Sequence, residues 1–284
     1  MECNPDDINI KNIKGWKKNN INRISLGVQS FFDSDLELMN RSHNSVTATQ
    51  AIELIKDNFK NFSIDLIYGI PESSFDIWKR NIDIGLKYDV PHISTYVLTV
   101  EPKTALIKLI EKNKIEEVSD IDQKLQFEYV YDYLLSLGYV NYEFSSFAKP
   151  GYECKNNVTY WNRGKYIGFG PSAHSFDGIK RKWNISNNQK YIEKIKLNSI
   201  AYESEILSET DILNEIIMIG LRTSKGLDLD LIESKFSNLN LEKLRQQIQL
   251  KILDGVLVKT DNKLHPSRDY KFLTDGLASD LFIT

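Results

Sequence analysis

Cysteine is nearly absent from this 284-residue chain: it holds two, Cys3 and Cys154. That is too few for a disulfide scaffold. There is no basic excess either. Lys and Arg number 36 against 39 Asp and Glu, for a net charge of −3. A dedicated nucleic-acid binder depends on phosphate contacts and normally carries a strong positive balance, so this class is disfavoured. No apolar run reaches the roughly 20 residues needed to span a bilayer. The opening segment MECNPDDINIKN is polar and acidic, unlike a signal peptide. These absences point to a cytoplasmic location. No internal repeat is visible. What is present is ordinary for a folded protein: 41% hydrophobic and 26% charged residues, enough for a real core and unlike a disordered chain. The length suits one large α/β domain with a small second one, or two medium domains.

Three segments read as strands: Arg23–Val28, Phe62–Gly69 and His92–Val100. Each is rich in β-branched or aromatic residues and ends on turn formers. Helical patterns lie between them. Ser45 is placed to cap a helix running to about Asn58, with Ala48, Ala51, Ile52 and Ile55 on one face. Ser73, with Asp76 three residues on, opens another that carries Trp78, Ile82 and Leu86. Alternating strands and helices predict a parallel sheet with crossover helices. A long helix follows from about Ile121 to Leu137, capped by Ser119 and stopped by Gly138. A short strand is expected near Tyr142–Ser145. Residues 148–188 read as a long irregular stretch, which in compact domains is usually functional or disordered.

From Ser208 the pattern changes. Ser208 and Asp211 form a capping-box signature for a helix to about Arg222. Two more helical patterns cover Leu227–Phe236 and Leu241–Leu253. VLVKTDNKLHP then reads as a hairpin turning at Asp261-Asn262. Three helices and a hairpin predict a small winged-helix-like domain over residues 205–284, with the first domain over 1–195 and a boundary between Ile192 and Ser208.

In parallel α/β folds ligands sit at the C-terminal ends of the strands. The polar residues there are Gln29 and Ser30 after the first strand, Asp65 within the second and Tyr68 at its end, and Thr99 and Glu101 after the third. Glu2 and Asn4 would take the same position on a strand beginning before Met1. On spacing alone these are ordinary polar strand ends.

Longer strings carry more. ECNPDD, NRISLGVQSF, LMNRSH, IDLIYGIP, HISTYVLTVEPKT and GFGPSAHSFDG with RKWN occur in this order. Together they resemble the segments of the radical S-adenosylmethionine (SAM) family that contains the HemW haem chaperones and the oxygen-independent coproporphyrinogen III oxidases. The YVLTVEP strand and the GYECKNNVTYW segment are closer to the HemW branch. The resemblance implies a partial radical-SAM (β/α) barrel without its first strands, with SAM across the open top beside a 4Fe–4S cluster. By motif match, Glu2, Gln29, Arg41, Asp65, Val97 and His174 would contact SAM. The chemistry is suitable: carboxylates accept from hydroxyls or an ammonium, Arg41 can fork onto a carboxylate, and Gln29 both donates and accepts. Outside the motif context, Arg41 reads as a surface ion pair and Asp65 as a carboxylate paired within the barrel.

Radical SAM chemistry needs three thiolates from a CxxxCxxC motif, which this chain does not contain. No metal-ligand set is therefore expected within it, and the chain alone is expected not to cleave SAM. The readings are truncation or a degenerate paralogue. The family's haem-associated H-N-x-x-Y-W appears as NNVTYW, with Asn156 in place of the histidine and Asn157, Tyr160 and Trp161 retained. An amide is a poor iron ligand. Cys154 offers a thiolate two residues upstream, and Tyr160 and Trp161 offer rings to a porphyrin face; the alternative for the cysteine is an inert buried thiol and for the rings is packing under the loop. His43 and His92 read as structural and His265 as a surface residue of the wing. The partners implied are haem or porphyrin and a haem-accepting protein. Three other readings remain: a coproporphyrinogen III oxidase; a DNA-binding winged helix using Lys243, Arg245 and Lys251; and a non-catalytic fragment.

Overall fold

The computed structural model describes residues 1–100, 102, 104–236 and 241–283. Glu101, singled out above, lies outside them. The chain divides into two compact units, Met1–Glu153 and Cys154–Thr284.

The first unit holds β1 (Glu2–Cys3), β2 (Arg23–Gln29), β3 (Asn61–Tyr68), β4 (His92–Val97), β5 (Val140–Glu143) and β6 (Ser146–Ala148). Its helices are α1 (Ile10–Lys18), α2 (Asp33–Leu38), α3 (Ser45–Asn58), α4 (Phe75–Lys87), α5 (Ala105–Glu111) and α6 (Asp120–Ser136). One six-stranded sheet runs β1-β2-β3-β4-β6-β5. The first four strands are parallel, and β6 joins β4 antiparallel. The short strand expected near Tyr142–Ser145 is instead the β5–β6 hairpin, because Asn141 folds back to bond the carbonyls of Glu143 (2.7 Å) and Ser146 (3.2 Å). The third strand stops at Val97 rather than Val100.

Two helix caps differ from expectation by one residue. Asn44, not Ser45, caps α3 by accepting from the Thr47 amide (2.9 Å). Ser74, not Ser73, caps α4 by accepting from Ile77 (3.2 Å). In both cases the cap is the extended residue just before the first helical turn, so its side chain reaches the third amide. Ser119 caps α6 as expected.

Strand alternation gives this sheet two unlike faces. Ile24, Leu26, Ile64, Leu66 and Ile93 share one face and are buried. The helices α3, α4 and α6 pack on the sheet. A Cβ added to Gly85 of α4 would come within 2.9 Å of Ile64 Cδ1, so glycine is what lets this helix lie close to β3. The opposite face is polar.

The second unit holds β7 (His174–Phe176), β8 (Lys180–Asn184), β9 (Tyr202–Ile206), β10 (Leu227–Asp228), β11 (Leu257–Thr260) and β12 (Lys263–Pro266). Its helices are α7 (Lys155–Trp161), α8 (Asn188–Lys196), α9 (Glu209–Arg222), α10 (Leu229–Lys235), α11 (Glu242–Leu253) and α12 (Thr274–Asp280). The stretch 148–188 is therefore more ordered than expected. It contains α7 and an antiparallel β7-β8-β9 sheet that continues to Ile206. That sheet runs through the Ile192–Ser208 region where a boundary was expected, and the division between units falls earlier, at Glu153. The Ser208 capping box is present. Asp261 and Asn262 both take positive φ, 48° and 60°, as a tight hairpin turn requires. The β10-β12-β11 sheet and α9–α12 enclose one apolar core that includes Leu213, Ile217, Leu227, Leu244, Leu264 and Leu281, the winged-helix-like arrangement expected. Asn214 secures the C-terminal segment by exchanging two hydrogen bonds with the backbone of Ile283 (2.8 and 2.9 Å). His265 is half-buried rather than on the surface, because its ring covers the Cα of Gly226. Among the described residues no helix is long and apolar enough to cross a membrane.

Candidate functional site

The polar face of the first sheet is a row across all six strands. Register aligns Glu2 with Ser25, Ser25 with Ser63, Asp65 with Ser94, Ser94 with Ser146 and Ser146 with Glu143. Ser25 and Ser63 hydroxyls are 2.8 Å apart, and Ser25 lies 3.4 Å from Asp65. Asp65 is enclosed but keeps one open edge, and no cation sits at ion-pair distance among the described residues. Burial pushes its carboxyl up to about 6, against the opposing hydrogen bond from Ser94. The nearby Glu2 adds to the rise. Ser63, Ser94, Ser146 and Glu143 are buried. Sequence reading missed these serines and Glu143. The signal was the alternation within RISLGVQ, NFSIDLIY and HISTYV, where every second residue is polar or small.

At the N-terminal end of these strands, Arg23 donates to Asn61 and to the Tyr152 carbonyl. His92 Nε2 meets the Tyr142 hydroxyl at 2.8 Å. Burial, with Arg23 nearby, pushes His92 down to about 3, so its ring is neutral at physiological pH. His92 is structural, as expected, and so is His43, whose Nε2 lies 3.0 Å from the Val28 carbonyl.

At the other end the predicted residues converge. Gln29 closes β2 with φ +67°, a conformation costly for a residue with a side chain. Among the described residues its Oε1 is buried without a partner, and so is Arg41 Nε. Arg41 Nη2 donates to Asn4 Oδ1 at 2.8 Å. A Cβ placed on Gly27 would lie 2.8 Å from Gln29 Nε2, 3.7 Å from the Cys3 carbonyl and 3.8 Å from Arg41 Nη2. The space over Gly27 is thus taken by the Gln29 amide, and the missing Cβ is what lets Gln29, the Cys3 carbonyl and Arg41 gather there. Asn4, Arg41's partner, was read as a strand-end residue and not as part of the set. Beside it is a cavity of about 350 Å³ lined by Met39, Arg41, Ile67, Leu98, Thr99 and Leu106. Val97 does not join the polar row. Its side chain approaches Gly69 near Gln123 of α6, because it alternates with Tyr96 along β4.

In the second unit the predicted residues are dispersed. His174 is exposed, with its ring 6.4 Å from that of Trp183. Cys154 is the half-buried residue preceding α7. Asn156 is exposed and Asn157 half-buried. Tyr160 packs edge-on to Tyr166 at 4.8 Å, whereas Trp161 lies under the Arg222 guanidinium at 5.4 Å. Successive helical residues diverge by about 100°, so the two rings serve different surroundings rather than one shared porphyrin face. Among the described residues no group of three or more His, Cys, Asp or Glu side chains is placed to hold a metal ion.

Residues 207–269 match the family model of the HemN C-terminal domain. The chain is 33% identical over 239 residues to the haem chaperone HemW of Bacillus subtilis, covering 83% of this chain and 63% of that protein. It is 31% identical over 265 residues to HemW of Lactococcus lactis, covering 93% and 69%. It thus spans about two thirds of the length of these relatives. The fold superposes on the coproporphyrinogen III oxidase HemN of Escherichia coli, a radical SAM enzyme, with a TM-score of 0.79 at 18% identity, covering 99% of this chain and 68% of that one. The motif order, the polar cluster at the strand ends and these similarities agree: the chain belongs to the radical SAM HemW family.

Proposed function

We propose that this chain is the SAM-binding and porphyrin-handling body of a protein of haem trafficking. The observation that carries the SAM reading is the pair of buried atoms without a partner among the described residues, Gln29 Oε1 and Arg41 Nε, gathered at Gly27 beside a cavity that Arg41 lines. Buried polar groups without partners cost about 1–3 kcal/mol each, and a ligand bearing both a carboxylate and donors would satisfy them. Arg41 would take the carboxylate of SAM, and Gln29 would bridge its polar groups. Asp65, ionised above about pH 6, would accept from hydroxyl or ammonium donors, with Glu2 beside it. The apolar cavity next to Arg41 suits the remaining bulk of the ligand. SAM bound to a reduced cluster supplies a carbon radical. The two cysteines of this chain do not fit a 4Fe–4S cluster, because they lack the CxxxCxxC spacing. Any cluster thiolates would have to come from residues outside this sequence.

The porphyrin reading rests on the HemW relatives and on Trp161, which lines a second-unit cavity. The DNA-binding reading finds less support. On α11, Arg245 forks onto Glu233 (2.8 and 2.6 Å) and Lys251 holds Asp280 (2.7 Å), so two of its three cations are already paired.

Calorimetric titration with SAM tests the proposal. Arg41→Ala is expected to weaken binding roughly 30-fold or more, the equivalent of about 2–3 kcal/mol for a lost charge-assisted pair, and Gln29→Ala less. Equal affinity in wild type and Arg41→Ala would remove the SAM assignment. With SAM and a reductant, this chain alone is expected to release no 5′-deoxyadenosine.

A further inference from the structure

A group of cations without carboxylate partners among the described residues lines a cavity of the second unit. A cavity of about 440 Å³ opens beside α7 and is lined by Lys225, Lys235 and Lys263, with Arg163 nearby and Asp228 as the carboxylate of its wall. Asp228 is committed to capping α10, where it accepts from Leu231 at 3.0 Å. Arg163 is held by Glu215. Lys225 reaches only the neutral amide of Asn162, at 2.7 Å. Lys235 lies over the Phe236 ring at 5.6 Å. No carboxylate pairs Lys225, Lys235 or Lys263 among the described residues. Three lysines without a carboxylate partner among the described residues thus line one concavity in a chain whose net charge is −3.

The other wall is apolar: Trp161, Ile216, Ile219, Leu227 and Leu231. Its depth is set by Gly220, where a Cβ would come within 2.7 Å of Leu227 Cα, so α9 and β10 nearly touch at the base. An inorganic anion has no use for such a wall. A ligand with a flat apolar body and acidic groups at one edge matches both sides, and the volume is in the range of small-molecule sites. The lining contains no histidine, cysteine, methionine or tyrosine, so it offers none of the usual protein ligands of haem iron.

We propose that this cavity binds a porphyrin dicarboxylate, with Lys225, Lys235 and Lys263 holding the carboxylates and Trp161 and the apolar wall packing on the macrocycle. The assignment rests on the porphyrin-handling reading and specifies its site. Recognition there goes through the carboxylates and the ring, not through the metal. Charge-assisted bonds to exposed lysines are reversible and weakened by salt, as suits a cargo that is to be passed on.

The test is titration of the full chain with haemin, with metal-free mesoporphyrin IX and with its neutral dimethyl ester in the same detergent, read by quenching of tryptophan fluorescence and by the Soret band. The free porphyrin is expected to bind within a few-fold of haemin, and the ester at least tenfold more weakly. The triple variant Lys225→Gln/Lys235→Gln/Lys263→Gln is expected to lose at least tenfold for both acids, and Leu231→Glu likewise, while Lys165→Gln/Lys182→Gln binds as wild type. Each substituted side chain is exposed, apart from Lys182, which is half-buried, and circular dichroism verifies folding. Wild type binding neither acid would overturn the porphyrin reading and this site together. Haemin binding that ignores the triple variant, or that requires iron, would overturn the site alone. Displacement by pyrophosphate at concentrations matching the porphyrin would make it a phosphate site and overturn the assignment.

Discussion

Asp65 in the first unit sits among serines with no cation in contact, and its proton affinity rises to about 6. Glu215 in the second unit sits between two arginines. It holds Arg163 and Arg181, and Arg181 also reaches Glu205 at 3.5 Å. Both arginines lie over the Phe176 ring, at 5.1 and 5.7 Å. The first unit leaves polar groups unsatisfied on a sheet face and at the strand ends. The second unit pairs its arginines Arg163, Arg181, Arg222 and Arg245 with carboxylates and leaves Lys225, Lys235 and Lys263 without one around a single cavity. Polar groups with complete partners act as scaffold; those kept waiting mark where a ligand belongs.

Breaking the second unit's pairing is the most damaging test of this contrast. Glu215→Gln leaves two partly buried guanidiniums facing each other, and a loss of about 2–3 kcal/mol is expected, below the 3–5 kcal/mol of a fully buried pair. Urea unfolding followed by tryptophan emission checks it. A loss under about 0.5 kcal/mol would make the network ordinary surface pairing.

A smaller effect of opposite sign is expected for Asp65→Asn. Between about pH 4 and pH 6 the native Asp65 keeps a proton that the unfolded carboxyl, near its ordinary 3.8, has released. The native state then binds more protons, so wild-type stability falls as pH rises through this window and levels off above it. The amide of the variant carries no charge to bury, and this slope should vanish. The gain at pH 7 is expected to be about 1–2 kcal/mol, allowing for the open edge of the carboxyl. Urea midpoints at pH 4, 5, 6 and 7 measure it, and an unchanged slope would place the titration elsewhere.

The smallest effect expected is that of Asn156→His. The position is exposed on the first turn of α7, and a surface imidazole offers iron a ligand without enclosing it. Haemin affinity should change less than about threefold, under about 1 kcal/mol, although the Soret band shifts. A gain of tenfold or more would shift the haem site from the lysine cavity to the start of α7.

How much is legible in the sequence follows the same division. The starts of the first three predicted strands, the Ser119 and Ser208 caps and the Asp261-Asn262 turn depend on residues within a few positions of one another, and sequence and structure agree on them to within one residue. The caps at Asn44 and Ser74 are missed by one residue, because adjacent polar residues differ only in which one is extended. Gln29 and Arg41 are named by motif resemblance, and the fold brings them around Gly27. The Asn4 contact that holds Arg41 spans 37 positions and has no local signature. Val97 is also named by motif resemblance, and strand alternation turns its side chain away from the polar row, toward Gly69. Tyr160 and Trp161 group as neighbours in sequence, and helix geometry separates them.

The sequence by itself determined the alternating strands and helices of the first unit's parallel sheet, the helices and hairpin after Ser208 and the family, because periodicity, capping and motif strings are local and survive any arrangement of the chain. Only the tertiary structure decided which polar residues share a face, which charges are neutralised and which are left open. Register aligns Glu2, Ser25, Asp65, Ser94, Ser146 and Glu143 across strands far apart in the chain. Likewise Lys225, Lys235 and Lys263 meet Trp161 only once α7, α9, α10 and β12 have packed, since a cavity is made by distant segments and exists in none of them alone.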